Sequence, residues 1–202
     1  MAALACDIYE WRLARREKGP LHVVVPSGTG TTALFLARHA PSGVRVLAVP
    51  CVGDESNLRS QMSRLALASG GAGMEDGCAS SLEVLLPPEA VPFGTPTPRL
   101  LKVWREAAAS GVVLDLVYGP IAWDAMLNSE AVAQGADVLY VNCGGHEGLY
   151  SQLCRYRRKG LLCDGEDPQL LLHEVLTSAK SRGRHASPHA SPHASRPNDD
   201  QV

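Results

Sequence analysis

Residues 23–39 read VVVPSGTGTTALFLARH, an apolar run, a loop of glycine and hydroxyl residues, then apolar residues at helical spacing. A short β-branched run bounded by proline is a buried strand signal, and the spacing that follows predicts a helix over 32–39. A chain with this unit must fold as a strand that feeds a tight loop and then a helix. The loop itself, SGTGTT (27–32), has no charged or long side chain. Its assets are backbone N–H groups, hydroxyls and the positive end of a helix dipole, and together these favour a phosphate. Glycine lets the backbone approach such a ligand closely, and threonine adds donors. A tight strand-to-helix turn with capping threonines is the simpler reading of the same residues.

The rest of the chain repeats the alternation. LHVVV (21–25) and VRVLAVP (44–50) read as buried strands, VVLDLVYG (112–119) as a third, and ADVLYVNCGG (136–145) as a fourth running into a glycine turn. Between them, SNLRSQMSRLALAS (56–69) reads as a helix with Ser56 as its cap, and 70–97 as mainly loop. TPRLLKVWREAAASG (97–111) has Thr97 as cap, Pro98 in the first turn and Gly111 past the end. IAWDAMLNSEAVAQG (121–135) and DPQLLLHEVLTSAK (167–180) complete the helices. Strands apolar on both faces and separated by helices predict an α/β fold, a mainly parallel sheet with helices on both faces. Residues 1–20 form an amphipathic lead-in, 21–180 the α/β domain, and 181–202 a tail. The tail repeat HASPHASPHASRPNDD has no apolar face to bury, which predicts disorder. Its evenly spaced His185, His189 and His193 are explained by that solvated repeat, and no metal is expected.

At 202 residues, with 45% hydrophobic residues, the chain is long enough for one sizeable core. A net charge of -2 argues against a general nucleic-acid or anionic-membrane partner. No apolar stretch reaches the roughly 18 residues of a spanning helix. The first residues contain Asp7, Glu10 and Glu17 and make a poor leader peptide. Six cysteines without a CxxC pair, in a chain of this size, read as reduced thiols of a cytoplasmic protein rather than zinc ligands or disulfides.

Three phosphate ligands compete for the loop. A nucleotide triphosphate loop needs GK[ST], and Thr31-Thr32 stand where the lysine belongs. Gly28-Thr29-Gly30-Thr31-Thr32-Ala33 formally matches the dinucleotide pattern G-x-G-x-x-A, but the second strand ends in Pro50-Cys51, with Asp54 late for a ribose. The third ligand is pyridoxal 5'-phosphate (PLP). SGTGTT resembles the phosphate cup of fold-type II PLP enzymes, the tryptophan-synthase-β-like group. LDLVYGPIAWDAM (114–126) is similar to the segment LDPVYTGKA, and VLYVNCGG (138–145) to LFIHTGG, of one branch of that group. In order and spacing, from about Leu21 to Leu161, the chain resembles the D-cysteine desulfhydrase and 1-aminocyclopropane-1-carboxylate deaminase family.

The resemblance implies a tryptophan-synthase-β-like large domain, incomplete here, with PLP as cofactor and a small amino acid as substrate. It assigns the phosphate to Thr29, Gly30, Thr31 and Thr32, with Gly28 shaping the turn. It places Tyr118 beside cofactor and substrate as the proton-shuttling residue, and Cys143 near the pyridine nitrogen. The chain departs from the family at several positions. Cys143 replaces a threonine, Gly119 stands where deaminases carry a glutamate, Phe93 where they carry a second tyrosine, and Asn142 where the family has histidine. Loss of the tyrosine hydroxyl at Phe93 favours desulfhydrase-like α,β-elimination over ring opening. The family's Schiff-base lysine lies in an N-terminal half, and Lys18, Lys102, Lys159 and Lys180 occur in no matching context. The expectation is therefore a fragment, inactive by itself, that forms a homodimer or is completed by a separate N-terminal half through an exposed sheet edge. A non-catalytic PLP-binding or interaction module and a dinucleotide-binding domain stand as the alternatives.

Overall fold

The computed structural model describes residues 2–15, 19–70 and 81–183. The chain runs α1 (Ala2–Arg15), β1 (Leu21–Ser27), α2 (Thr31–Arg38), β2 (Val44–Pro50), α3 (Glu55–Ala68) and β3 (Leu82–Val84). It continues with α4 (Pro98–Ala109), α5 (Gly119–Leu127), α6 (Glu130–Ala133), β4 (Asp137–Tyr140), α7 (Leu149–Arg158) and α8 (Pro168–Gly183). The four strands form one parallel sheet in the order β3-β2-β1-β4. Leu21 to Ser27 pair in register with Val44 to Pro50, and Leu21 to Val24 with Asp137 to Tyr140.

Parallel neighbours require crossovers, and crossovers of one hand put helices on a face set by the direction of travel. From β1 to β2 to β3 the chain moves one way across the sheet, with α2 and α3 on one face. It then returns past β1 to β4, with α4 and α5 on the other. Side-chain alternation along β1 and β2 follows this division. Leu21, Val23, Val25, Val44, Val46 and Ala48 pack with Ala5, Ile8, Leu34, Leu58 and Met62 from α1, α2 and α3. Val24, Leu47, Val49 and Cys51 pack with Leu100, Ile121, Ala122 and Ala125 from α4 and α5. A third cluster joins α4 to α7 and α8 around Trp104, Leu114, Leu153 and Tyr156.

The expected strand over 112–119 is absent. Asp115 stops it: its carboxylate accepts the N–H groups of Val117 (2.7 Å), Tyr118 (2.7 Å) and Gly119 (3.0 Å), which turns the chain into α5. The single helix expected over 121–135 is two. Asn128 folds its amide back onto the Asp124 carbonyl, and Ser129 caps the next turn through the Val132 N–H. Asp54, not Ser56, caps α3 by accepting the Asn57 N–H at 2.8 Å. Residues 82–84 within the expected loop pair with β2, and β4 is shorter than the expected 136–145. Thr97 and Pro98 open α4 as expected, with the Thr97 hydroxyl accepting the Leu100 N–H. Cys78 and the tail beyond Gly183 lie outside the described residues. Among the described residues no helix is long and apolar enough to cross a membrane.

Trp104 is fully buried and donates its indole N–H to the Leu114 carbonyl at 2.9 Å, tying α4 to the segment that carries Asp115. Trp104→Phe leaves that carbonyl unpaired and removes volume. The expected loss is about 1–3 kcal/mol, read as a lower urea midpoint at unchanged slope.

Candidate functional site

The sheet reverses its order at β1. β2 lies on one side of it and β4 on the other, and in open parallel sheets such a switch point opens a crevice beyond the carboxyl ends of the strands. A cleft of about 590 Å³ occupies this place. Its walls come from three turns, with Gln152 of α7 added: Pro26 in β1 with Gly28 and Thr29 just after it, Asp115 to Tyr118 before α5, and Cys143 to Gly145 with Glu147 and Gly148 after β4.

The first wall is the glycine loop. Gly30 caps α2 with φ 77°, a left-handed conformation suited to glycine. A Cβ at Gly30 would sit 2.7 Å from Met62 Sδ and 2.9 Å from Leu58 Cδ1, so α3 fixes the loop from behind. No side chain caps α2, and helix geometry leaves its first-turn N–H groups without intrahelical acceptors. The hydroxyls of Thr29 and Thr31 bond each other at 2.8 Å.

The second wall is the turn into α5, held from several sides. Asp115 takes three of its N–H groups. The buried Cys51 thiol at the end of β2 donates to the carbonyls of Val49 (3.4 Å) and Tyr118 (3.7 Å). Tyr140 Oη donates to the Gly119 carbonyl at 3.3 Å while its ring packs edge-on against Trp123. Arg99 of α4 grips the buried Asp124 of α5 through Nε at 2.7 Å and Nη2 at 3.2 Å. These contacts present the Tyr118 ring to the loop: a Cβ on Gly28 would lie 3.7 Å from its Cε1 and 3.9 Å from its Oη. The Phe93 ring stands 5.5 Å from the Tyr118 ring on the outer side.

The third wall follows β4. Gly144 lies directly against Asp115, and Cys143 and Glu147 flank it. The wall residues include two carboxylates and no lysine, arginine or histidine. The thiols and phenol around Asp115 resist ionisation. Desolvation, more than any charge, pushes Cys51 up to about 12 and raises Tyr140, and in each Asp115 adds to the effect. Cys143 is raised by the same two causes, in the same order. All three therefore stand as neutral donors at physiological pH.

Of the residues singled out from sequence, Gly28, Thr29, Tyr118 and Cys143 meet in this cleft. Gly30, Thr31 and Thr32 are not among its walls: Gly30 is turned against α3, and the two threonines open α2 behind Thr29. Asp115, Gly144, Glu147 and the buried Gln152 of α7 were missed. For Asp115 a signal existed, because one acid inside the apolar run VVLDLV must find several donors if it is buried. Asp54, already late in sequence for a ribose, is occupied as the cap of α3 and lies outside this cleft. Lys102 pairs with Glu106 on the exposed side of α4 and also lies outside it.

Two outcomes follow from this geometry. Gly30→Ala forces a left-handed alanine against Met62, with an expected loss of about 2 kcal/mol or more, and Met62→Ala in the same chain recovers part of it in a double-mutant cycle. Cys51 keeps its proton in the folded state to a higher pH than in the unfolded chain. Its contribution is thus complete below pH 9 and is lost as pH rises toward about 12, where the unfolded state gives up the proton first. Denaturant titrations should show stability falling over that window by up to about 4 kcal/mol, and Cys51→Ala should flatten the fall.

Beyond the geometry, no protein-family model matches the chain, and a search of curated proteins returns no significant match.

Proposed function

We propose that the chain binds pyridoxal 5'-phosphate in the switch-point cleft, as a tryptophan-synthase-β-like relative of the D-cysteine desulfhydrase and 1-aminocyclopropane-1-carboxylate deaminase family. One observation carries this reading. The three segments that resemble the family, far apart in sequence, converge on a single cleft through Gly28 and Thr29, Tyr118, and Cys143 with Gly144. The residues present suit such a ligand. The uncapped start of α2 behind Thr29 offers N–H donors for a phosphate, and the glycine at 28 leaves room that a side chain would fill between loop and Tyr118.

Within that reading each wall has a task. Gly28 and Thr29 hold the phosphate at the loop, with Thr29 freed from its bond to Thr31 to donate. Tyr118 holds its hydroxyl beside the loop, 3.9 Å from where a Cβ on Gly28 would sit, and would carry the proton. Cys143, kept neutral, would offer the ring nitrogen a weak hydrogen bond, the role that the resemblance gives it. When bound, PLP supplies an electron-withdrawing ring that stabilises negative charge on a small amino-acid substrate. Among the described residues that line the cleft there is no lysine, so these residues would hold the ligand without a covalent bond. That favours a non-catalytic PLP-binding module over α,β-elimination by this polypeptide alone. A dinucleotide is the weaker fit, because Asp54 is committed to capping α3.

Titration of the purified chain with PLP should give saturable binding. Thr29→Val should weaken it about tenfold, the scale of a lost charge-assisted hydrogen bond, and Gly28→Val should weaken it by filling the space between the loop and Tyr118. D-Cysteine added to the complex should yield no sulfide beyond a PLP-only control. Absence of saturable binding at millimolar PLP contradicts the proposal, and sulfide release in excess of the control contradicts the non-catalytic form of it.

A further inference from the structure

Asp115 is 8% exposed, and the hydrogen bonds it accepts come from the backbone N–H groups of Val117, Tyr118 and Gly119. The other side of the same carboxylate faces the glycine turn after β4. A Cβ on Gly144 would lie 2.5 Å from both Cβ and Cγ of Asp115, so only glycine lets the two turns approach this closely. Asn142, just before that turn, donates its side-chain amide to the Val113 carbonyl at 3.0 Å, a second tie between the same two segments. One buried side chain therefore touches both the turn that presents Tyr118 and the turn that presents Cys143.

We propose that Asp115 is the positioning residue of the cleft, a buried clamp that holds the Tyr118 turn against the Gly144 turn and so sets the separation between Tyr118 and Cys143. The clamp is anionic and stands beside a thiol. Other titratable groups around Cys143 are Cys51 from the end of β2, Tyr140 from β4, and His146 and Glu147 on its own turn. Desolvation opposes ionisation of Cys143 most, and Asp115 is the charge that adds to it. The clamp thus has a chemical signature that a mere packing role lacks: it adds to the desolvation that already raises the Cys143 thiol. Its consequence for binding rests on the PLP reading above, but the thiol signature is read with no ligand present.

The test follows alkylation of Cys143 by iodoacetamide against pH, resolved by peptide mass spectrometry, together with PLP titration. Asp115→Asn keeps the size of the side chain and removes its charge. The Cys143 midpoint should fall, and alkylation at pH 8 should accelerate on the order of 3- to 10-fold. PLP affinity should drop about tenfold, because the amide turns a donor toward the Gly119 N–H. Gly144→Ala, which wedges a methyl group against the carboxylate, should weaken PLP by a similar factor. An unchanged or raised Cys143 midpoint in Asp115→Asn overturns the proposal. If that variant does not fold, Gly144→Ala decides, because it forces the Cys143 turn away from the carboxylate: a Cys143 midpoint below that of the wild type supports the clamp, and an unchanged one overturns it. If PLP binds neither form, the ligand reading fails while the midpoint still rules on the clamp.

Discussion

Parallel pairing of β1 with β2 on one side and β4 on the other governs the rest of the molecule. Neither neighbour can be reached by a hairpin, so each pairing demands a crossover, and the two crossovers travel in opposite directions across the sheet. That single fact places α2 and α3 on one face and α4 and α5 on the other. It also leaves a gap beyond the end of β1, because the chain leaves β1 toward one side and the strand on the other side stops at Tyr140, opposite Val24 and short of Ser27. The cleft is the space that this reversal cannot fill.

Polar groups, not apolar ones, give the cleft its shape. Apolar packing fixes what lies beneath: Gly30 is pressed on Met62 and Leu58, and α5 on Leu47 and Val49. At the rim the chain turns sharply twice, before α5 and after β4, and neither turn has a regular ladder to satisfy its N–H groups. Asp115 satisfies the first and abuts the second. The result is a site with opposed character on its two sides. The α2 terminus behind Thr29 favours an anion, whereas desolvation, with Asp115 adding to it, keeps the thiols of Cys51 and Cys143 and the Tyr140 phenol neutral. A ligand with a phosphate at one end and a ring or amine at the other suits that polarity better than an anion alone.

Much of this was legible in the sequence, for identifiable reasons. β1 and β2 are short β-branched runs flanked by proline and glycine. α4 announces both ends, with Thr97 and Pro98 at its start and Gly111 beyond it. The failures have physical causes too. VVLDLVY has the composition of a strand, but a buried carboxylate finds better partners in its own following N–H groups than strand pairing would allow. α7 was invisible because its buried face needs only Leu149, Gln152, Leu153 and Tyr156, and arginines fill its last turn. Gly28, Thr29, Tyr118 and Cys143 were found through resemblance. Asp115 was passed over because its partners are backbone groups, which leave no trace in a motif.

The central claim is that the cleft receives a phosphate-bearing ligand at the start of α2, under Tyr118. Amide-resolved NMR of the isotope-labelled chain during addition of PLP measures this most directly. The account predicts saturable shifts concentrated at Gly28 to Ala33, Tyr118 to Gly119 and Cys143 to Gly145, all following one binding curve. Shifts confined to exposed lysines such as Lys102 and Lys159, or spread over the surface without saturation, would contradict it.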